Sequence, residues 1–175
     1  MKNEIKWSVL TLCLSSIIWS CQSSTINKTA VAQLDLKRYM GKWYEIARID
    51  HWYERGLEGC QANYSLDGNH VKVINSGFKN SLTGLYKEAV GKAKNTDEPG
   101  KLKVAFFLNF YAEYNVLELG ENYQYALIGG KNDDYLWILS RTPQMEKVDL
   151  DYLLNRAIAR GYDINKLKWV EQPKP

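Results

Sequence analysis

The sequence predicts an all-β fold: an eight-stranded antiparallel up-and-down barrel with one C-terminal α-helix packed on the outside. Three observations carry the prediction. Between Trp43 and Arg141, short runs of alternating apolar and polar residues recur between turn signals, the period of sheets with one face buried. The first run, Gly41–Arg48, and the last, Asp134–Arg141, have similar character, and Arg141 is placed to lie across the indole of Trp43, which would bring the ends of the sheet together. After Pro143 the apolar period becomes helical.

The first strand, Trp43 to Ile49, leaves a glycine corner at Gly41 and is apolar on both faces, so its period does not say which side points inward. Cys60 to Asp67 is the second, and Asp67-Gly68-Asn69 is a hairpin signal into the third, Val71 to Gly77. Leu85 to Lys94 and Lys101 to Leu108 follow, separated by the polar, Pro- and Gly-containing stretch 95–100. Ala112 to Leu119, Tyr123 to Gly130 and Tyr135 to Arg141 complete eight strands, the number at which a barrel can hold one small ligand. Val148, Leu150, Leu153, Leu154, Ala157 and Ile158 then recur at helical spacing, with Gly161 as terminator. That stripe needs a surface to cover, and the outer wall of the barrel is the surface available. Lys168 to Val170 reads as a short final strand.

The amino terminus has the layout of a secretory signal: Lys2 and Lys6, an apolar run from Trp7 to Trp19, then small or polar residues around Cys21. The reading divides the chain into a signal peptide (1–20), a lipidated N-terminus and linker (21–32) and one barrel domain (33–175). A formal charge of +3 with no basic run gives no footprint for nucleic acid. H-E-x-x-H, C-x-x-C and G-x-S-x-G patterns are absent, so neither a metal nor a cofactor is expected. His51 and His70 fall in or beside loops, and Asp133-Asp134 is a turn feature. Cys13 leaves with the signal and Cys21 is the acylation candidate, so Cys60 has no disulfide partner within the chain.

Gly41-Lys42-Trp43-Tyr44 resembles the G-x-W signature of the lipocalins, Asn132-Asp133-Asp134-Tyr135 their second motif and Arg141 their third. Tyr44 to Arg48, Ala62 to Leu66 and Trp137 to Pro143 are similar to the bacterial outer-membrane branch of that family. Ile18-Trp19-Ser20-Cys21 looks like a lipobox, departing from it at Trp19. The resemblance implies a periplasm-facing domain held on the outer membrane by acyl chains on Cys21. Each buried methylene of such a chain contributes about 0.8 kcal/mol.

The resemblance also assigns the inward face. It implies Ala62 and Tyr64, Val73 and Asn75, Ala89 and Gly91, Val104 and Phe106, Tyr114 and Val116, Ala126 and Ile128, and Trp137 on successive strands. The candidate ligand-binding residues among these are Tyr64, Val73, Asn75, Val104, Phe106, Tyr114, Val116 and Trp137; Gly41, Trp43 and Arg141 are structural. Such a lining suits the hydrocarbon tail of a fatty acid or lysophospholipid, with Arg48, Arg55, Lys79 and Lys87 as candidates for a cation near the opening. From the residues alone, core packing is the favoured reading of each position, since small barrels fill with side chains. The family implies a carrier rather than an enzyme, with homodimerisation by analogy. Because the family includes an isomerase that uses a thiol inside the barrel, Cys60 is the alternative, acting on a small apolar substrate.

Overall fold

The computed structural model describes residues 26–174. Cys21, the signal segment and the first linker residues lie outside the described residues. Eight strands wind in chain order: β1 (Gly41–Ile49), β2 (Leu57–Asp67), β3 (His70–Lys79), β4 (Tyr86–Asn95), β5 (Lys101–Ala105), β6 (Ala112–Leu119), β7 (Tyr125–Gly129) and β8 (Leu136–Ser140). Every neighbouring pair is antiparallel. The sheet closes because β1 pairs with β2 through its first half and with β8 through its second, Trp43 opposite Ala62 and Arg48 opposite Trp137. A short helix, α1 (Leu36–Tyr39), precedes the barrel; α2 (Lys147–Ala159) and an outer strand, β9 (Leu167–Trp169), follow it, β9 pairing with the end of β1.

Several bounds differ from the sequence reading, and at β5 the strand is shorter than expected. The sheet ends at Ala105, although alternation continues through Phe106 and Leu108. Leu108 instead adopts a left-handed backbone, φ 49°, a conformation that only glycines, Gly41 and Gly59, take within the described strands.

Two cores result. Trp43, Tyr64, Val73, Ala93, Val116, Ile128 and Leu139 pack inside the barrel. Ala47, Ile49, Leu117, Leu127 and Ile138 point outward and meet Leu153 and Ala157 of α2. The stripe of α2 thus covers the barrel wall, and Gly161, at φ 92°, ends the helix.

Up-and-down topology puts the β1–β2, β3–β4, β5–β6 and β7–β8 loops at one end, the mouth, and the remaining turns at the other, the floor. At the floor, Asp35 caps α1 by accepting from the Lys37 and Arg38 amides, and the Trp43 indole N–H donates to the Tyr39 carbonyl at 2.9 Å. Arg141 crosses the Trp43 ring at 3.8 Å. Gly41, at φ 92°, carries no Cβ where one would stand 3.4 Å from an Arg141 nitrogen.

The segment from Ile26 to Ala32 belongs to the fold although its sequence shows no apolar period. Ile26 is buried in the outer core, the Asn27 amide donates to Arg160 O and the Val31 amide to Val116 O. Lys28 reaches Glu113 and the Lys131 carbonyl, both at the mouth end, whereas the Asp35 amide meets the Tyr123 hydroxyl at the floor. The chain therefore enters beside the mouth and descends the outer wall.

Candidate functional site

Strand register places the inward residues side by side. Tyr64 lies opposite Val73, Ala62 opposite Asn75, Asn75 opposite Ala89 and Val73 opposite Gly91. Ala93 lies opposite Val104, Leu102 opposite Tyr114, Val116 opposite Ile128 and Ile128 opposite Trp137. Seven of the eight residues named from the sequence as ligand-binding therefore share one continuous interior face, and Phe106, just past the end of β5, lays its ring against Gly91 of that face. Their depths differ.

The lower half is filled. Val73 and Val116 are sealed within the packing, Tyr64 is 7% exposed, and the cavity bounded by Tyr39, Tyr64, Leu102, Val104 and Tyr114 measures about 10 Å³. Its polar groups satisfy each other: the Tyr114 hydroxyl lies 2.6 Å from that of Tyr39 and 3.0 Å from that of Tyr64. Burial holds all three phenols protonated, raising Tyr64 to about 12 and pushing the other two up as well.

The upper half is open. Ala89 and Ala112 point inward yet are exposed, and Asn75, Gly91, Val104, Tyr114 and Trp137 are partly so. The Phe106 ring, 44% exposed, covers Gly91; a Cβ there would sit 2.7 Å from that ring and from the Ala105 carbonyl. Asn75 Oδ1 is buried with no hydrogen-bond partner among the described residues.

One side of the cup carries a charged cluster that the alternation hides. A bulge at Ile46 between Glu45 and Ala47 brings both Glu45 and Arg48 to the inner face. Arg48, fully buried, donates to Glu45 Oε1 at 2.6 Å, Asp50 Oδ1 at 3.0 Å and the Glu54 carbonyl at 2.7 Å. It is thus a structural ion partner and not a free cation at the opening. Burial opposes its charge, but Glu45 outweighs that and keeps the guanidinium charged. Asp50 is shared with Arg55 at 3.5 Å, and burial, reinforced by the Glu45 charge, pushes Glu54 up to about 8. Trp137 Nε1 donates to Glu54 Oε2 at 3.1 Å.

Cys60 is free and 5% exposed, with its Sγ 3.6 Å from Arg48 Nη1. Burial, then the Glu45 charge, pushes its thiol well above the usual range, so it is held as the un-ionised, poorly nucleophilic form. His51 is not a solvated loop residue. Its ring stacks on Tyr135 at 4.3 Å and Tyr53 at 5.3 Å, and burial lowers its pKa. His70 is exposed at the start of β3.

Comparison with known proteins agrees with this geometry. Residues 34–172 match the family model described as a lipocalin-like domain. The chain is 45% identical over 162 residues to the outer membrane lipoprotein Blc of Escherichia coli (strain K12), covering 90% of this chain and 91% of that one. To apolipoprotein D of Mus musculus it is 36% identical over 151 residues, 79% of this chain and 77% of that one. Insecticyanin from the tobacco hornworm Manduca sexta superposes with a TM-score of 0.68 at 22% identity, covering 83% and 84% of the chains, a likeness of fold.

Proposed function

This chain belongs to the lipocalin family, and from that premise we propose that it is a carrier of fatty acids or lysophospholipids in envelope maintenance, anchored to the outer membrane through Cys21. The observation that carries the reading is the interior of the barrel, closed by tyrosines below and uncovered above, where Ala89, Val104, Phe106, Ala112 and Trp137 form a mostly apolar wall. An acyl chain entering from the mouth loses water from each methylene it buries there, at about 0.8 kcal/mol apiece, part of which ordering the chain offsets. The buried oxygen of Asn75 favours a ligand that brings a donor.

Delipidated mature protein titrated with fluorescent fatty acids tests this. Saturable binding is expected, strengthening with chain length and levelling off where the tail meets the tyrosine floor. A flat response across acyl lengths would remove the proposal.

A further inference from the structure

The outer face of β3, β4 and β5 carries a block of like charge on its lower half. Lys72 of β3 lies directly opposite Lys92 of β4, and Lys94, two residues along β4 on the same face, lies opposite Lys103 of β5. Like charges set directly opposite each other across a sheet destabilise it, and here two such pairs stand side by side. None of the four ammonium groups forms an ion pair among the described residues. On other parts of the outer wall, Glu118 holds Arg156 and Arg160, and Glu58 holds Lys168. Two of the four lysines are nonetheless fixed in place: Lys92 donates to Asn109 Oδ1 at 3.0 Å, and Lys94 stands 4.4 Å over the ring of Tyr111, the residue before β6. An anion lodged among them would turn the repulsion into attraction.

We propose that this block binds a compact polyanion, a sugar bearing two or more phosphate groups, on the outside of the barrel. Neighbouring strands lie about 5 Å apart and alternate residues about 7 Å apart along a strand, so the lysines offer a small grid of charges at the spacing of phosphates on one sugar. Lysine suits phosphate as a point charge, whereas flat, paired recognition of carboxylates favours the fork of arginine, which the block lacks. Ser65, exposed and opposite Lys72, adds a hydroxyl for the sugar. The surrounding carboxylates set the size of the ligand. Asp67 lies opposite His70, Glu113 lies opposite Lys103 and is already held by Lys28 at 3.0 Å, Asp97 and Glu98 follow in the floor turn, and Glu88 stands four residues before Lys92. An extended anionic surface laid on this convex wall would press against that frame. A ligand smaller than the frame meets lysines alone. A protein partner would further need apolar anchors at the centre of its contact, and the nearest apolar pair, Ile74 opposite Val90, lies in the next row toward the mouth. The barrel wall separates this site from the cup, so the inference stands apart from the carriage proposed above.

The test titrates inositol hexakisphosphate, as the probe, into the mature protein in a calorimeter at low and at physiological salt. Saturable binding at a single site is expected, weaker at the higher salt. Lys94→Gln with Lys103→Gln should weaken it about tenfold or more through lost charge-assisted contacts, and Lys72→Gln with Lys92→Gln should do the same. Lys79→Gln with Lys87→Gln, an equal change of charge beside the β3–β4 loop, should leave the affinity within about twofold of the parent's. Thermal melting verifies that each variant is folded, and should one block pair fail to fold, the other decides. A parent that does not bind overturns the proposal, and so does an equal loss from all three pairs, which would assign the effect to net charge. Displacement of the probe by poly-glutamate at equal charge, or by vesicles containing phosphatidylglycerol, would give the block to an acidic protein or to a bilayer and overturn it as well.

Discussion

The guanidinium of Arg141 lies 3.8 Å from the centre of the Trp43 indole and donates to four backbone carbonyls, those of Tyr123, Lys42, Arg38 and Tyr39. One side chain thus joins the β8 exit, the β1 entry and the floor helix. Its planar fork makes this possible, and an ammonium has neither the reach in several directions nor the flat face.

Arg141→Lys, which keeps the charge, is therefore expected to lose about 2 kcal/mol of stability through the carbonyls it leaves unpaired. Urea unfolding followed by intrinsic fluorescence measures this. A midpoint equal to the parent's would show that charge alone holds the floor.

Tyr114 is the hub of the three hydroxyls inside the barrel, bonded to both Tyr39 and Tyr64. Tyr114→Phe should leave two buried hydroxyls without a partner and destabilise the protein by about 1–3 kcal/mol. Tyr64→Phe removes a single bond and its own need for one, so its effect should be smaller. The reverse order in denaturant titration would show that Tyr114 is not the hub.

The barrel was legible because its inner and outer walls obey a period of two: Tyr64, Val73, Val104 and Trp137 alternate with residues that point away. Closure was legible from Gly41, Trp43 and Arg141. The Glu45–Arg48–Glu54 cluster was not, because an extra residue at Ile46 breaks the alternation and Glu54 lies in a loop whose path no period describes. The end of β5 was misplaced because Phe106 and Leu108 look like buried strand residues although Leu108 faces solvent. Ile26 gave no signal, since it and Val31, the two apolar residues that pack this segment on the barrel, set no strand or helix period between them.

Glu54 gives the fold a dependence on pH opposite to that of a salt-bridged carboxylate. Its folded pKa is raised to about 8, so between its ordinary value and 8 the folded state holds a proton that the unfolded state has released. Stability from this group is fully present below the ordinary carboxylate range and is lost as pH rises through about 8. Glu54→Gln keeps an acceptor for the Trp137 N–H and cannot ionise. Its melting temperature should exceed the parent's at pH 9 and fall less steeply from pH 6 to 9. Parallel melting curves for the two proteins across that range would show that Glu54 is not held protonated.

Ala89 and Val90 separate the cup from its outer wall by one residue. Ala89 faces inward opposite Asn75, Val90 faces outward opposite Ile74, and both are exposed, so a larger side chain at either position meets little packing. Ala89→Trp should project an indole across the open half of the barrel and weaken fatty-acid binding by about tenfold or more, since excluding even two methylenes forfeits about 1.6 kcal/mol. Val90→Trp, with the same added bulk on the opposite face, should bind as the parent does. Equal affinities for the two variants would place the acyl chain outside the barrel and leave the inward wall without the role proposed for it.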